Sequence, residues 1–394
     1  MTTESVRARV GHVAVLAAVG VAAWAILWGS GLTRVRYDTL WYASFTYQDA
    51  GLPREAAWAR SWDLVQQLGS PELLASLPRA ANGSWFDGWD DPKRARWVGI
   101  YAMRPAMPLL GALAYPVLGT DAPIAVSVLA VVLLVLAAWV VVGPLAGAGV
   151  AAVFLAIDAL NPLLSTWLIF LMPDGLGLGL WLVALGGAAA YAADGRRRWA
   201  VVAAVATLAL AFDRPSAVLV PAIFGASTVV AAILRGPWRR FAIATLATGM
   251  AAAAFTGWAA IAGYPSFHDF LEDLPTNHFA KVDVGHPVEE MLPYALDLVR
   301  ATPGYLADHP LIAAAIALGV VGLLASRRWW SVPFLLALPG VAALALAHPV
   351  ATEVERTIAP AWLSIDLGLA VLVARVAAGA WVRMRMGLRV SSDG

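Results

Sequence analysis

Apolar residues dominate this chain in long unbroken runs, with neither the alternation of a half-buried strand nor the single stripe of a soluble amphipathic helix. The runs fall at roughly 11–32, 124–143, 147–168, 174–193, 199–212, 215–234, 241–262, 310–325, 331–347 and 358–378. Most have about the 20 residues a helix needs to cross hydrocarbon, where each backbone polar group must be paired within its own segment. The pattern predicts an all-α polytopic membrane protein, one membrane domain over 1–394, with about ten transmembrane helices. Two stretches between runs are long, 33–123 and 263–309, and are predicted as large extracytoplasmic loops. Residues 101–118 (YAMRPAMPLLGALAYPVL) are apolar enough for a further span but hold Arg104, Pro105, Pro108 and Pro116. Proline removes a helical hydrogen bond, so this piece reads as re-entrant or surface-lying.

Composition sharpens the class. Of 394 residues 60% are apolar and 13% charged, against about a quarter charged in soluble domains. That balance excludes a water-soluble enzyme, a nucleic-acid binder and a disordered tail. With no cysteine, a disulfide scaffold is excluded too. Basic and acidic residues nearly cancel, 27 against 26, so their positions matter more than their sum. Arginines cluster at Arg196-Arg197-Arg198, at Arg235 with Arg239-Arg240, at Arg327-Arg328, and at Arg383, Arg385 and Arg389. By the positive-inside rule these clusters, and both termini, face the cytoplasm. Arg7 and Arg9 precede a first run too long for a signal-peptide core, which reads as an uncleaved anchor. Lys93 and Lys281 are the only lysines, a bias that points to a GC-rich bacterium and so to its plasma membrane.

The acids lie mostly on the other side. Asp38 falls within a turn of the predicted exit of the first helix, and Tyr42 lies one turn further on the same face. A carboxylate there, flanked by Arg34 and Arg36, is placed either as a general base at an interfacial cleft or as a hydrated acid paired with a neighbouring arginine. Asp174 opens the fourth run, as a helix-terminal acid favoured by the dipole or as a substrate or metal ligand. Asp213-Arg214 sits at an outer turn, as a local ion pair or with Arg214 turned to a lipid phosphate. Arg356 has Glu353 and Glu355 beside it to orient it towards a phosphate. Asp158 and Asp366 fall inside runs and should face protein or a wet cavity. The first loop carries Trp41, Trp58, Trp62, Trp85, Trp89 and Trp97, expected as interfacial anchors on short amphipathic helices or as sugar-stacking platforms. The histidines of the second loop fit no zinc spacing, and that loop is expected to be a solvated, mobile lid. No Walker loop, dinucleotide fingerprint, HExxH or GxSxG elbow occurs.

An N-terminal helix, a long outer loop opening with Asp38-x-x-x-Tyr42 and followed by Gly51 and Pro53, and a multispan bundle resemble the GT-C glycosyltransferases. The likeness extends to Met172-Pro173-Asp174, to the prolines of 101–118, and to Glu355-Arg356 before Pro360. It implies inverting transfer of a sugar from a polyprenyl-phosphate carrier to a lipid, glycan or protein acceptor at the extracytoplasmic face. Asp38 would be the base, Arg356 and Arg214 would meet the donor phosphate, and Tyr42 and Asp174 would bind substrate. The second loop would cover the donor, bringing His268, His278 and Lys281 to it. Thr39 stands where many members have a second acid, which leaves a divalent cation (Mg or Mn) open; Asp38 and Asp174 are the carboxylates it would use. The rival readings are a secondary transporter coupled through Asp158 and Asp366, and a catalytically silent scaffold of the same fold.

Overall fold

The computed structural model describes residues 35–77, 92–276, 284–349 and 353–390. The first predicted span, residues 11–32, lies outside them, as do Trp85, Trp89, His278 and Lys281. The chain is built of helices: α1 (Tyr37–Asp49), α2 (Arg54–Leu68), α3 (Pro71–Ser76), α4 (Pro92–Ala102), α5 (Ala106–Leu118), α6 (Ala122–Ala137), α7 (Ala148–Leu160), α8 (Pro162–Ile169), α9 (Pro173–Asp194), α10 (Arg197–Asp213), α11 (Leu219–Ile233), α12 (Trp238–Ile261), α13 (Phe267–Asp273), α14 (Pro287–Asp308), α15 (Pro310–Ala325), α16 (Ser331–Ala347) and α17 (Val354–Val390). Every predicted run within the described residues is helical. Among those residues five helical stretches are long and apolar enough to cross a membrane, or up to seven if two bent pairs each count as one. This is an all-α, membrane-embedded protein.

Proline and glycine mark where the runs bend. The run predicted over 147–168 is broken by 78° at Asn161-Pro162, where Asn161 caps α8 by accepting from the Leu163 N–H at 3.0 Å. Helicity continues from Ala106 to Ala146. Gly119, however, takes φ +55° and ψ −129° between α5 and α6, a conformation open to glycine and strained for other residues. So 106–118 forms its own 13-residue helix, packed along α1 and α6.

The bundle has two unlike ends. At one, the three arginine turns meet: Arg240 Nη1 donates to the Ala193 carbonyl at 2.9 Å, and Trp329 closes over Gly236. At the other end lie Asp38, Asp174, Asp213 and the start of α17. Helix α9, buried along most of its length, is the central post. Helices α10 and α6 flank it. Gly177 faces Asp213 and Gly187 faces Ala203, so α9 and α10 run antiparallel. Gly179 and Gly186 face Leu133 and Val141, so α6 runs parallel to α9. Small residues let these backbones approach closely, which is what packing in lipid requires.

One expectation for the loops needs correction. Trp41 and Trp58 are core residues, 1% and 4% exposed with ring centroids 5.0 Å apart, and anchor nothing to the headgroups. Helix α1 is sequestered on both faces by α2, α4 and α5, which removes its aromatics from the surface. The second loop, expected as a solvated lid, carries helices α13 and α14 within its described residues, and α14 is mostly exposed. Asp269 and Glu272 pair with Arg96, and Ser266 and Asp269 form a reciprocal capping box at the start of α13.

Candidate active site

Four chain segments far apart in sequence deliver charged side chains to one point at the end of the bundle. Helix α1 begins there with Asp38, and α9 begins there with Asp174. Helix α10 ends there at Asp213-Arg214, and α17 begins there with Arg356. Each helix presents a terminus rather than its middle, where backbone groups are left unpaired within the helix and charges from different helices can meet one another.

Arg356 is the hub. Its Nη1 donates to Asp38 Oδ2 at 2.7 Å and its Nε donates to Asp174 Oδ1 at 2.7 Å. Arg214 Nη2 also donates to Asp174 Oδ1, so one carboxylate bridges two guanidinium groups. Glu353 Oε1 lies 3.6 Å from Arg356 Nη1. The Tyr101 hydroxyl donates to Asp38 Oδ1 at 3.2 Å, and Arg104 Nη1 donates to the Tyr42 hydroxyl oxygen at 2.9 Å. The Arg356 and Asp174 side chains are 6% and 2% exposed, whereas Asp38 keeps 14%. Burial pushes the Tyr101 phenol well above its ordinary range and Asp38 beside it adds to this, so Tyr101 is a fixed hydrogen-bond donor. Burial also raises Tyr42, with the Arg104 charge pulling the other way.

Thus five of the sequence-predicted residues, Asp38, Tyr42, Asp174, Arg214 and Arg356, share one cluster. His278 and Lys281 fall outside the described residues. Several local expectations fail in detail. Arg214 pairs with Asp174 across the helix hairpin, not with adjacent Asp213. Asp174 does lie in the first turn of α9, as expected, and its Oδ1 accepts from the two arginines. Arg356 is oriented mainly by Asp38 and Asp174, with Glu355 exposed. Asp158 faces protein, as expected, in α7, which packs against α17, and Asn161 Nδ2 donates to both oxygens of Asp366 at 2.9 and 3.2 Å. His268, itself exposed, lies 3.4 Å from buried Glu272 at α13.

Tyr101, Arg104 and His348 belong to the site and escaped sequence reasoning. Arg104 carried a signal, a lone arginine in an apolar, proline-rich run. His348 sits beyond the end of α16, and burial holds its imidazole below the ordinary range.

Beside the cluster is a cavity of about 340 Å³. Arg104, Arg214, Arg356, Glu353 and His348 line its polar side, and Phe255, Ala252, Ala259, Leu344 and Val218 are among its apolar walls. Arg356 Nη2, Arg104 Nε, His348 Nδ1, Asp174 Oδ2 and both Asp213 oxygens are buried with no partner among the described residues. A buried guanidinium nitrogen without an acceptor is costly, and two of them beside an apolar chamber suit an amphiphile with an anionic head.

Mg²⁺ needs near-octahedral oxygen ligands; Asp38 and Asp174, the carboxylates it would use, are both engaged by Arg356. Among the described residues no group of three or more His, Cys, Asp or Glu side chains is placed to hold a metal. Compared with protein-family models and with curated proteins, the chain matches none.

Proposed function

We propose that this protein is an inverting, GT-C-like glycosyltransferase that moves a sugar from a polyprenyl-phosphate carrier to an acceptor hydroxyl at the extracytoplasmic face of a bacterial plasma membrane. One observation carries the reading: three arginines stand at the polar side of an apolar-walled cavity, and the central one, Arg356, holds Asp38. The donor phosphate would take the free Arg356 Nη2 and the neighbouring Arg214, with Arg104 at the third corner. Competition for Arg356 loosens its hold on Asp38, which then takes the acceptor proton as the hydroxyl attacks the anomeric carbon. The phosphate leaves from the opposite face. Its charge grows as it departs, and fixed guanidinium groups in a low-dielectric groove stabilise that change without reorganising. Tyr101 positions Asp38, and Tyr42 positions Arg104.

The test is Asp38→Asn assayed with radiolabelled lipid-linked sugar. General-base catalysis is worth roughly 10²–10⁴ in rate, so transfer should fall by that factor while the purified variant stays folded. Wild-type transfer by Asp38→Asn rejects the assignment of the base.

A second reading, a secondary transporter, draws on a separate observation. Transporters place ion sites at broken helices near the midplane, and the Asn161-Pro162 break sits beside buried Asp158 and Asp366. Substrate flux into proteoliposomes without glycosyl transfer would favour it.

A further inference from the structure

Helix α14 is unlike the rest of the described chain. Its 22 residues, Pro287–Asp308, are mostly exposed. Val288, Leu292, Leu296 and Val299 recur at three- and four-residue spacing, which places them on one stripe, and they are 43–64% exposed. Glu290, Asp297 and Asp308 follow the opposite side, and Met291, buried, faces the protein. Such a stripe is costly in water and has no covering element among the described helices.

Its place in the fold says what covers it. Helix α14 meets α15 at 100° across His309-Pro310. Helix α15 is apolar throughout, with Leu311, Leu318, Val321 and Leu324 exposed, so it presents a lipid-facing surface that begins at the elbow where the α14 stripe ends. A helix at a right angle to the end of a lipid-facing helix lies in the membrane plane. The apolar stripe on one side and Glu290, Asp297 and Asp308 on the other then divide between acyl chains and water, with Glu289 and Arg300 at the flank between them.

We infer that α14 is an interfacial helix, seated in the bilayer at the boundary between headgroups and acyl chains. Its acidic side turns to water, so the contact needs no anionic lipid.

The placement also sets the depth of the charged cluster. Helices α15 and α17 run in the same direction. Side-chain carbons built on Gly319 and Gly322 would meet Ile365 and Gly368, and Arg375 Nη2 donates to the Ser326 carbonyl at 3.3 Å. The same nine-residue step back from Gly319 and Ile365 reaches Pro310 and Arg356. Both helices rise about 1.5 Å per residue, so the elbow and Arg356 lie at one level. A seated α14 therefore holds Arg356 at the headgroup level, where lipid phosphates lie. This holds whether or not the chain transfers a sugar.

The chain has no cysteine, so single sites take a spin label in the natural background. Leu292→Cys, Leu296→Cys, Val299→Cys, Glu290→Cys and Asp297→Cys would be labelled with a nitroxide in phosphatidylcholine nanodiscs. Collision with oxygen would be compared with collision with a water-soluble nickel chelate. The three stripe sites should favour oxygen several-fold, and the two acidic sites should favour nickel. Equal nickel access on both sides would overturn the seating. Stripe labels shielded from both reagents would also overturn it, showing a protein partner or second copy in place of lipid. Loss of glycosyl transfer in Asp38→Asn bears on the base alone and leaves this result unaffected.

Discussion

Asp174 Oδ1 accepts from both Arg214 and Arg356, and this sharing makes the cluster more than a row of ion pairs. Burying one charge costs several kcal/mol, and mutual attraction offsets that only while each partner is present. Removing the common acceptor leaves two buried cations facing each other. Asp174→Ala should therefore destabilise the protein by about 3–5 kcal/mol, read as a drop in Tm in detergent. Asp174→Asn, which keeps an acceptor oxygen, should lose less. If the alanine variant melts like the wild type, the bridge carries no stability. Gly177 belongs to the same arrangement, since a Cβ there would meet Asp213 Oδ2 and the Arg214 side chain.

At the scale of elements, α17 is the helix whose position matters most, because Arg356 starts it and its course is fixed by a close crossing with α15. Side-chain carbons on Gly322 and Gly368 would run into the backbone of the opposite helix. Gly322→Ala should cost at least the ~1–3 kcal/mol of an overpacked core and, on the proposed function, should lower transfer by shifting Arg356. The control is Gly257→Ala in α12, where nothing lies within 4 Å. There alanine's helix propensity, better by up to about 1 kcal/mol, should leave Tm unchanged or raised.

Helix α13 is tied to α4 by Arg96, which donates from Nε to Asp269 Oδ1 at 2.6 Å and from Nη2 to Glu272. Partial burial raises the Asp269 carboxyl, but hydrogen bonds from Ser266 and Arg96 outweigh it and hold the group below its ordinary 3.8. A depressed carboxyl contributes stability that is full above the unfolded value and disappears as pH falls through the folded one. The Tm difference between wild type and Asp269→Asn should therefore be constant near neutrality and shrink below about pH 4. A difference that grows in acid would contradict the tether.

At the scale of the whole molecule, the bundle separates arginine turns at one end from the carboxylate cluster at the other. If the arginine end is cytoplasmic, as the positive-inside rule requires, a membrane-impermeant maleimide should label Glu355→Cys in intact cells. Arg197→Cys should react only after the membrane is opened. The reverse pattern would invert the topology and remove the extracytoplasmic site from the proposal.

Much of this was legible along the chain. Apolar runs of about 20 residues announce helices in lipid because the backbone there has no other way to pair, and charges cannot enter those runs without a partner. Asp38, Asp174, Arg214 and Arg356 therefore stood out as charges at run ends. What one dimension could not show was which ends meet. Adjacent Asp213 and Arg214 looked like a pair, yet Arg214 reaches Asp174, because the α9–α10 hairpin brings the start of one helix to the end of the other. Arg104 and Tyr101 joined the site only once α4 and α5 folded back along α1, and Trp41 and Trp58 became core for the same reason. Local composition determined helices, class and the residues free to carry charge. Partners, burial and the cavity were decided by packing, since contact between distant segments depends on how small residues and proline breaks aim the helices.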